Sequence, residues 1–397
     1  MITRRGMLAG MGGAVLVGDL GSSSGNALAA EAPELELFAL RQKKALIKQT
    51  FRPPNFETPL ADLRSEFTAN DAFFVRYHLA NIPKVDVRTW RLRAGGESAS
   101  RTHEWRLDDL RRDFEKVSVA AINQCSGNRR GLFTPRVPGV QWQYGAMGNA
   151  IWTGVRLRDV LQKVGVRPDA LEVVFDGADA ALLGGTPDFV KSLPIERALD
   201  ENTLIAFEMN GHPLPHWNGA PARLVVPGWT ATYWVKHLTE IRIVPKAYEG
   251  FWMQKAYRVP TGVFPGAVFK SQEGMETTPI TEMLVNSLIT SHESGARLTR
   301  GQRAELSGWA WDNGAGIAKV EISQDGGRVW RGAMLGRDLG RFAWRGFTLP
   351  IDTTQGGPIT VAVRATSRNG TQQPEKLTPN PSGYHHNIIQ TLQLEVT

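Results

Sequence analysis

The sequence predicts an α+β protein in which a domain of mixed sheets and short helices precedes an all-β, immunoglobulin-like sandwich. Three observations support this fold class. The chain has 397 residues, which is too many for one ordinary core and predicts two domains. Its 41 glycines and 12 tryptophans favour short strands joined by loops over a helical bundle. From about Pro279 onward, short alternating strands with turns between them replace the mixed pattern that precedes them.

The first 30 residues have the pattern of an export signal. Arg4 and Arg5 precede a small, apolar stretch that runs to about Gly18, and residues 27–30 resemble a cleavage site. Paired arginines predict the twin-arginine route, which exports folded proteins. We therefore expect residues 1–30 to be a twin-arginine signal peptide and the mature protein to be periplasmic. An uncleaved anchor is the alternative, but the apolar run is shorter than the roughly 18–20 residues that span a membrane.

Composition narrows the classes of partner. The net charge of +7 is compatible with nucleic acid, an anionic membrane or a small anionic substrate. The chain has no block of lysines and arginines and no recognisable nucleic-acid module, so we expect no nucleic-acid partner. No stretch after the signal is long and apolar enough to span a bilayer, so we also expect no membrane insertion.

Helix and strand patterns alternate along the first domain. Phe74 and Val75 are typical of a strand, and Arg76 and His78 follow it two positions apart. Side chains two apart on a strand face the same side, so both could face one pocket while Tyr77 faces away. A solvated arginine and a buried histidine are the alternative. Helices are predicted where apolar residues recur at helical spacing, at residues 107–114 and 157–164. A strand is predicted at residues 171–175, and a strand followed by a turn at residues 204–215.

The second domain is predicted to contain strands only. They are expected at residues 304–311, 320–323, 342–344, 359–363 and 392–396. The sequence Asp325-Gly326-Gly327 is typical of a hairpin turn. No motif that carries catalysis stands out in this domain.

Cys125 is the only cysteine of the chain. It ends an apolar, β-prone run and opens a loop of small and polar residues, and Arg129 and Arg130 follow closely. Nearby guanidinium groups favour the thiolate form, which attacks carbon or binds metal. A zinc site would need several cysteine or histidine ligands at short spacing, and a nucleophile would need a histidine base. The alternative to a functional thiolate is a buried structural cysteine.

Four segments resemble the sulfite oxidase family of molybdenum enzymes. QCSGNRR at residues 124–130 is similar to the family's cysteine loop, and FFVRYHL at residues 73–79 is similar to its FFVRNH segment. RLVVPG at residues 223–228 and GWAWDNGAGIAKVEISQDGGRVW at residues 308–330 resemble its pterin-phosphate segment and its C-terminal domain. The resemblance implies a molybdopterin-binding catalytic domain at residues 31–275 and an immunoglobulin-like dimerisation domain at residues 276–397. It also implies a homodimer formed through the second domain.

The resemblance also implies roles for individual residues. Cys125 matches the cysteine that binds molybdenum directly, and is the expected metal ligand. The expected substrate-pocket residues are Arg76, Arg130, Trp142 and Tyr257, and the further expected cofactor contacts are His78, Asp176, Ser192, Arg223 and Lys236. Of the two loop arginines, Arg130 rather than Arg129 is expected in the pocket. A packed core aromatic is the alternative for Trp142, and Asn218 replaces a histidine of the family.

The reaction implied by the resemblance is oxidation of sulfite to sulfate by oxygen-atom transfer at a molybdenum-molybdopterin cofactor. One cysteine cannot form the C-x-x-C-H motif that attaches haem c, and the sequence has no haem b5 segment or Rossmann fingerprint. We therefore expect no haem or flavin in this chain. A c-type cytochrome is the expected electron acceptor, which receives electrons one at a time from a sulfite dehydrogenase.

Other functions stay open. Another molybdopterin oxidoreductase of the same fold would reduce a sulfoxide or nitrate, but the exported sulfoxide reductases lack the C-terminal sandwich, and assimilatory nitrate reductase carries haem and flavin domains. A non-enzymatic periplasmic oxyanion-binding protein would use the arginines and keep Cys125 in its core. A cysteine hydrolase would be sensitive to thiol alkylation without needing a metal.

Overall fold

The computed structural model describes residues 37–181, 183–261 and 274–397. The predicted signal peptide at residues 1–30 lies outside the described residues. The α-helices are α1 (Leu107–Asp113), α2 (Leu157–Val164), α3 (Ile195–Ala198) and α4 (Phe251–Gln254). The strands of the first domain are β1 (Leu37–Ala39), β2 (Ala45–Thr50), β3 (Asn55–Glu57), β4 (Val75–Arg76), β5 (Leu92–Gly95), β6 (His103–Trp105), β7 (Val117–Gln124), β8 (Met147–Arg156), β9 (Glu172–Gly177), β10 (Lys191–Pro194), β11 (Leu204–Met209), β12 (His212–Pro213), β13 (Arg223–Val225), β14 (Leu238–Val244) and β15 (Arg258–Pro260).

The second domain follows with strands alone among its described residues. These strands are β16 (Thr277–Pro279), β17 (Asn286–Ile289), β18 (Arg297–Leu298), β19 (Ala304–Trp311), β20 (Ile317–Ser323), β21 (Arg331–Gly332), β22 (Met334–Leu335), β23 (Arg345–Ile351), β24 (Gly357–Ser367) and β25 (Gln390–Val396). The predicted α+β class with an all-β second half is confirmed. No helix among the described residues is both long and apolar enough to cross a membrane.

Three larger sheets build the first domain. β1 to β4 form an antiparallel meander, and a second sheet has the order β10-β9-β14-β5-β6, with β14 parallel to β5. A third sheet has the order β12-β11-β8-β7, and β13 pairs with β11. The second and third sheets share one hydrophobic core with α2, whose buried residues are Leu157, Val160, Leu161 and Val164. The apolar stripe that predicts α2 in the sequence is therefore the face that packs.

The second domain is a sandwich of two sheets. One has the order β17-β19-β23-β22 and the other β18-β25-β24-β20-β21. Alternate residues of both sheets, such as Leu306, Val320, Val363 and Leu394, point into a core between them. The strand predicted at residues 342–344 is wrong. Phe342 instead leaves the sandwich and pairs with Ala121 of β7 as an isolated bridge.

Tryptophans anchor the sandwich to the first domain. The indole nitrogens of Trp309, Trp311 and Trp344 donate to Leu63 O at 2.5 Å, Gln124 Oε1 at 2.6 Å and Glu66 O at 2.7 Å. Trp309 and Trp344 also stack, with ring centroids 4.8 Å apart. Because each buried indole N–H has an acceptor across the interface, the contact carries no desolvation penalty for that group. Gln124 directly precedes Cys125, so this interface also supports the cysteine loop.

Candidate active site

Cys125 lies where the sequence predicted it, at the end of β7. Its backbone N–H donates to Ala146 O of the chain leading into β8 at 2.9 Å, and its carbonyl accepts from Asn128 N at 2.9 Å. Ser126 Oγ donates to Thr230 Oγ1 at 2.9 Å, which ties the loop to the chain after β13. The thiol is 6% exposed. These hydrogen bonds fix the loop, and Cys125 is buried but keeps a small exposed fraction.

Two cavities meet at Cys125. An inner cavity is lined by the polar residues Arg76, Tyr77, His78, Asn123, Cys125, Ser126, Asp179, Asn218, Arg223, Thr232, Lys236 and Tyr257. An outer cavity is lined by Arg76, Cys125, Gly127, Arg130, Pro138, Gly139, Val140, Trp252, Ala256, Tyr257, Pro381, Ser382 and Tyr384. Arg76, Cys125 and Tyr257 belong to both. The structure thus brings together seven of the predicted site residues, although they come from distant parts of the sequence.

Arg76 is placed by the short strand β4. Its guanidinium donates to Asn55 Oδ1 at 3.2 Å and to Tyr77 O, while its own carbonyl accepts from Lys236 Nζ at 2.8 Å. The expectation that Tyr77 faces away is wrong, because β4 ends at Arg76 and strand alternation stops there. Tyr77 lines the inner cavity, and its hydroxyl lies 2.8 Å from His237 Nε2.

His78 and Tyr257 form a hydrogen-bonded pair, Nε2 to OH. Phe189 stacks on the His78 ring, with centroids 3.6 Å apart and an angle of 10° between the planes. Burial, and then the charges of Arg76, Lys236 and Lys191, hold the pKa of His78 well below its ordinary value, so the ring is neutral near neutral pH. Burial raises the pKa of Tyr257, so its phenol keeps its proton. The pair therefore presents a neutral hydroxyl to the space beside Cys125.

The two loop arginines have separate positions. Arg129 turns away from the cavities and donates to Asn286 Oδ1 and Ser287 O of the second domain, both at 2.7 Å. Burial lowers the pKa of Arg129 to about 10. Arg130 lines the outer cavity and donates to Val140 O at 3.2 Å. A Cβ on Gly127 would lie 2.5 Å from Arg130 Nη1, so the glycine of the cysteine loop is what lets this guanidinium lie flat against the backbone.

Buried cations surround the inner cavity. Arg223 is 4% exposed, donates to Asn218 O and Trp234 O at 2.9 Å each, and leaves Nε without a partner. Burial lowers the pKa of Arg223 to about 9. Burial, then Arg223, lowers the pKa of Lys236 well below its ordinary value, although Asp179 opposes this. Neither Arg223 nor Lys236 has a hydrogen-bonded carboxylate among the described contacts. An anionic group in this cavity would therefore offset the free-energy cost of burying their charges.

Further unpartnered polar atoms line the same cavity. Asn123 Nδ2 and Thr232 Oγ1 are buried without hydrogen-bond partners. Buried polar groups are normally satisfied, so these atoms fit a bound cofactor with many donors and acceptors. Among the described residues, no three histidine, cysteine or acidic side chains converge on one point to hold a metal. Cys125 offers a single sulfur ligand, which fits a cofactor that brings its own metal ligands.

Three predicted contacts are not brought to either cavity. Trp142 is fully buried and meets Phe74 edge-on at 6.5 Å, as a packed aromatic would. Asp176 lies on β9. Burial, and then the negative charge of Asp188, raises the pKa of Asp176 to about 7. Ser192 is fully buried on β10 with its hydroxyl unpartnered.

Sequence reasoning overlooked Asp179, Asn123 and Thr232, which line the inner cavity. Asp179 ends the same D-G-A-D segment as Asp176, and burial raises its pKa to about 6. Asn123 lies two positions before Cys125 on the same strand face, a spacing that could have identified it. Asn218, which replaces the family histidine, accepts from the buried Lys43 Nζ at 2.8 Å.

Lys191 is a fully buried lysine beside the pocket tyrosine. Its Nζ donates to Trp252 O at 2.7 Å and lies 5.4 Å from the centroid of the Tyr257 ring. Burial, and then Arg258, lowers the pKa of Lys191 from 10.5 to about 7. Between these two values the unfolded chain binds a proton that the folded chain has released. This lysine therefore lowers the free energy of unfolding most below pH 7, and the penalty shrinks as the pH rises.

Lys191→Met is expected to raise the thermal unfolding midpoint at pH 6, because methionine removes the buried charge at similar volume. Each kcal/mol recovered corresponds to roughly 1–2 °C in a chain of 397 residues, because the entropy of unfolding grows with chain length. Calorimetry between pH 6 and pH 10 should show the gain shrinking as the pH rises. Lys246→Met, at an exposed lysine, provides the control and should show no such trend. A difference that does not vary with pH would contradict the assignment of the penalty to Lys191.

Comparison with known proteins gives the class to which this fold and site belong. Residues 78–252 match the family model described as "Oxidoreductase molybdopterin binding domain", and residues 277–396 match "Mo-co oxidoreductase dimerisation domain". The chain therefore contains a molybdopterin-binding domain of the kind found in oxidoreductases, followed by a dimerisation domain.

Individual relatives define the family. The chain is 33% identical over 348 residues to the mitochondrial sulfite oxidase of Macaca fascicularis, covering 84% of this chain and 62% of the relative. It is 34% identical over 342 residues to the sulfite oxidase of Gallus gallus, covering 83% of this chain and 72% of the relative. The chain thus spans less than two thirds of the mitochondrial protein but more than two thirds of the avian one. It belongs to the sulfite oxidase family.

A solved structure extends the likeness over nearly the whole chain. The crystal structure of the sulfane dehydrogenase SoxCD from Paracoccus pantotrophus superposes with a TM-score of 0.74 at 25% sequence identity. The match covers 96% of this chain and 96% of that chain. Both domains described above are therefore found in a known molecule with the same arrangement.

Proposed function

We propose that this protein is a molybdenum-dependent sulfite dehydrogenase that oxidises sulfite to sulfate. The observation that carries the proposal is the setting of Cys125, with Arg76, Arg130 and Tyr257 around one thiol at the meeting point of two cavities. A small dianion suits this arrangement, because planar guanidinium groups bind oxyanions in two-point fashion. The sulfite oxidases among the relatives support the same substrate.

The residues around Cys125 have separate tasks in this proposal. Arg76 and Arg130 attract and orient the oxyanion, and the neutral phenol of Tyr257 donates a hydrogen bond without adding charge. In this proposal His78, held neutral by burial, carries its proton on Nε2 and donates to the Tyr257 oxygen, which leaves the phenol proton free for the anion. Limiting the positive charge helps release of sulfate, since a third cation would also hold the product.

The inner cavity suits the molybdopterin part of the cofactor. Arg223 and Lys236 would hold its anionic phosphate, Asn123 and Thr232 would pair with its polar edges, and Cys125 would bind the metal. When bound there, the cofactor supplies oxygen-atom transfer and two-electron redox chemistry. The protein groups bind and orient the substrate beside it and exclude bulk water from the inner cavity.

Electrons are proposed to pass singly to a c-type cytochrome. The sequence supports a separate acceptor, because a chain with one cysteine has no C-x-x-C-H motif of its own. We also propose twin-arginine export to the periplasm, supported by Arg4 and Arg5 ahead of the apolar stretch. A homodimer through residues 277–396 is supported by the match to a dimerisation domain.

Metal analysis and sulfite-dependent reduction of cytochrome c on one exported sample test the proposal. About one molybdenum per chain is expected, with cytochrome reduction that depends on sulfite. Molybdenum without sulfite oxidation would move the substrate to nitrate or a sulfoxide. Fully exported protein that binds an oxyanion but holds no molybdenum would overturn the enzyme proposal and leave a binding protein.

A second candidate is oxidation of a sulfane sulfur. The likeness to SoxCD over 96% of both chains favours it, because that protein is a sulfane dehydrogenase. Thiosulfate, a small anion with a sulfane sulfur, distinguishes the two in the same assay. A specificity constant for thiosulfate above that for sulfite would favour this candidate.

A further inference from the structure

The second domain reaches the substrate pocket at one loop, residues 380–384. The Tyr384 ring stacks on the Tyr257 ring, with centroids 5.6 Å apart and an angle of 27° between the planes. The guanidinium carbon of Arg130 lies 5.0 Å from the centroid of the Tyr384 ring. Arg130 Nε also donates to Ser382 O at 2.8 Å. Tyr257 and Arg130, two pocket residues of the first domain, therefore both pack against the Tyr384 ring of the second domain.

This loop is built to approach Arg130 closely. Asn380 Nδ2 donates to Tyr384 O at 2.7 Å, and Tyr384 N donates back to Asn380 Oδ1 at 2.9 Å. Gly383 has a φ of +62°, and a Cβ there would lie 2.4 Å from Val137 Cγ2 and 2.8 Å from Arg130 Cγ. Only glycine fits that position. The reciprocal hydrogen bonds and the glycine fix the direction in which the Tyr384 ring points.

Tyr384 supplies the aromatic surface that the sequence led us to expect from Trp142. Trp142 is fully buried and lines neither cavity, whereas Tyr384 is 9% exposed and lines the outer one. We propose that Tyr384 is a positioning residue of the oxyanion pocket, whose ring holds the Arg130 guanidinium and the Tyr257 phenol beside Cys125. This inference rests on the proposed function to the extent that the pocket binds a small oxyanion.

The effect of Tyr384 should appear in anion affinity. A guanidinium over an aromatic face is attracted by the ring quadrupole, and offset tyrosine rings attract each other as well. Without the ring, Arg130 and Tyr257 gain rotamer freedom that anion binding must then remove. Sulfite and sulfate carry similar charge and shape, so both should lose affinity by a similar factor while kcat changes little.

The test uses the full-length, molybdenum-loaded enzyme with Tyr384→Phe, Tyr384→Leu and Tyr384→Ala. Phenylalanine keeps both ring contacts, and its KM for sulfite should stay within about twofold of wild type. Leucine and alanine should raise the KM about tenfold, since partly desolvated cation–π contacts have that strength. Calorimetry with sulfate, which involves no turnover, should show the same order of Kd values.

The control is a matched cation–aromatic pair in the same domain. The Arg364 guanidinium lies 4.0 Å from the Trp330 ring centroid, and neither residue lines the two cavities. Trp330→Ala should leave the KM for sulfite and the Kd for sulfate unchanged. Unfolding midpoints of all variants separate a local loss of affinity from a loss of folding, and leucine keeps most of the volume if alanine destabilises the loop.

Three results would overturn the inference. The first is a sulfate affinity in Tyr384→Leu equal to that of the wild type. The second is an equal loss of anion affinity in Tyr384→Phe and Tyr384→Leu. The third is a fall in kcat while the KM for sulfite and the Kd for sulfate stay unchanged. A loaded wild-type enzyme that does not oxidise sulfite would refute the proposed function instead. The sulfate series would then still decide whether Tyr384 organises an anion pocket.

Discussion

Cys125→Ser is expected to abolish sulfite oxidation in a protein that still folds. Cys125 offers the one sulfur ligand at the meeting point of the cavities, and a serine hydroxyl does not ionise to replace it. Loss of an outer-shell partner alone costs about 10- to 100-fold in metal affinity or activity, so loss of this direct ligand should cost more than about 100-fold. Cytochrome c reduction per bound pterin measures the loss.

Pterin content gives this experiment a second measurement. Arg223 and Lys236 are untouched by Cys125→Ser, so the variant should retain pterin even where molybdenum falls. Ser118→Ala provides a control on the same strand, because Ser118 Oγ pairs with Thr153 Oγ1 at 2.7 Å and neither residue lines the two cavities. Sulfite oxidation at the wild-type rate in Cys125→Ser would show that the thiol is only a packed side chain.

Arg76→Gln is expected to raise the KM for sulfite by roughly two orders of magnitude, with a smaller effect on kcat. Truncating one partner of a buried, hydrogen-bonded charge pair costs about 2–5 kcal/mol, and Arg76 lines both cavities at Cys125. Arg76→Lys should recover only part of the loss, because an ammonium group cannot make the two-point contact of a guanidinium. Steady-state kinetics with sulfite and inhibition by sulfate measure both constants.

Loss of a positive charge in itself must be separated from loss of this contact. Arg93→Gln removes an arginine from an exposed position on β5 and should change the KM by less than about twofold at moderate salt. Equal effects of Arg76→Gln and Arg93→Gln would mean that Arg76 acts only through the overall field. The unfolding midpoint controls for the hydrogen bonds that Arg76 makes to Asn55 and Tyr77.

Local pattern was enough to predict much of the fold and part of the site. The stripe of α2 is the face that packs, and Cys125 sits at a strand end as the small residues after it indicate. The choice of Arg130 over Arg129 for the pocket agrees with their positions, although the preference came from a resemblance. These features depend on residues close together in the chain, where spacing and turn chemistry decide.

Features that depend on distant packing could not be predicted. Tyr77 lines a cavity because β4 has only two residues, and strand length depends on which neighbours pair. Arg130 and Ser382 are 252 positions apart, so no local pattern places Tyr384 beside the pocket. Asp176 and Asp179 differ in position because β9 ends between them, at Gly177. Each of these outcomes is set by tertiary structure rather than by propensity.

The cysteine loop is bound to the second domain at three points: Gln124 accepts from Trp311, Arg129 donates to Asn286, and Arg130 donates to Ser382. The binding of any ligand at the loop is therefore thermodynamically linked to the docking of the second domain against the first. Linkage is reciprocal: a ligand that favours the docked arrangement of the two domains is itself bound more tightly in that arrangement. The second domain then influences the anion affinity of the pocket from a distance. A substitution at Trp309 or Trp344 that weakens the contact between the domains should therefore lower the affinity for substrate.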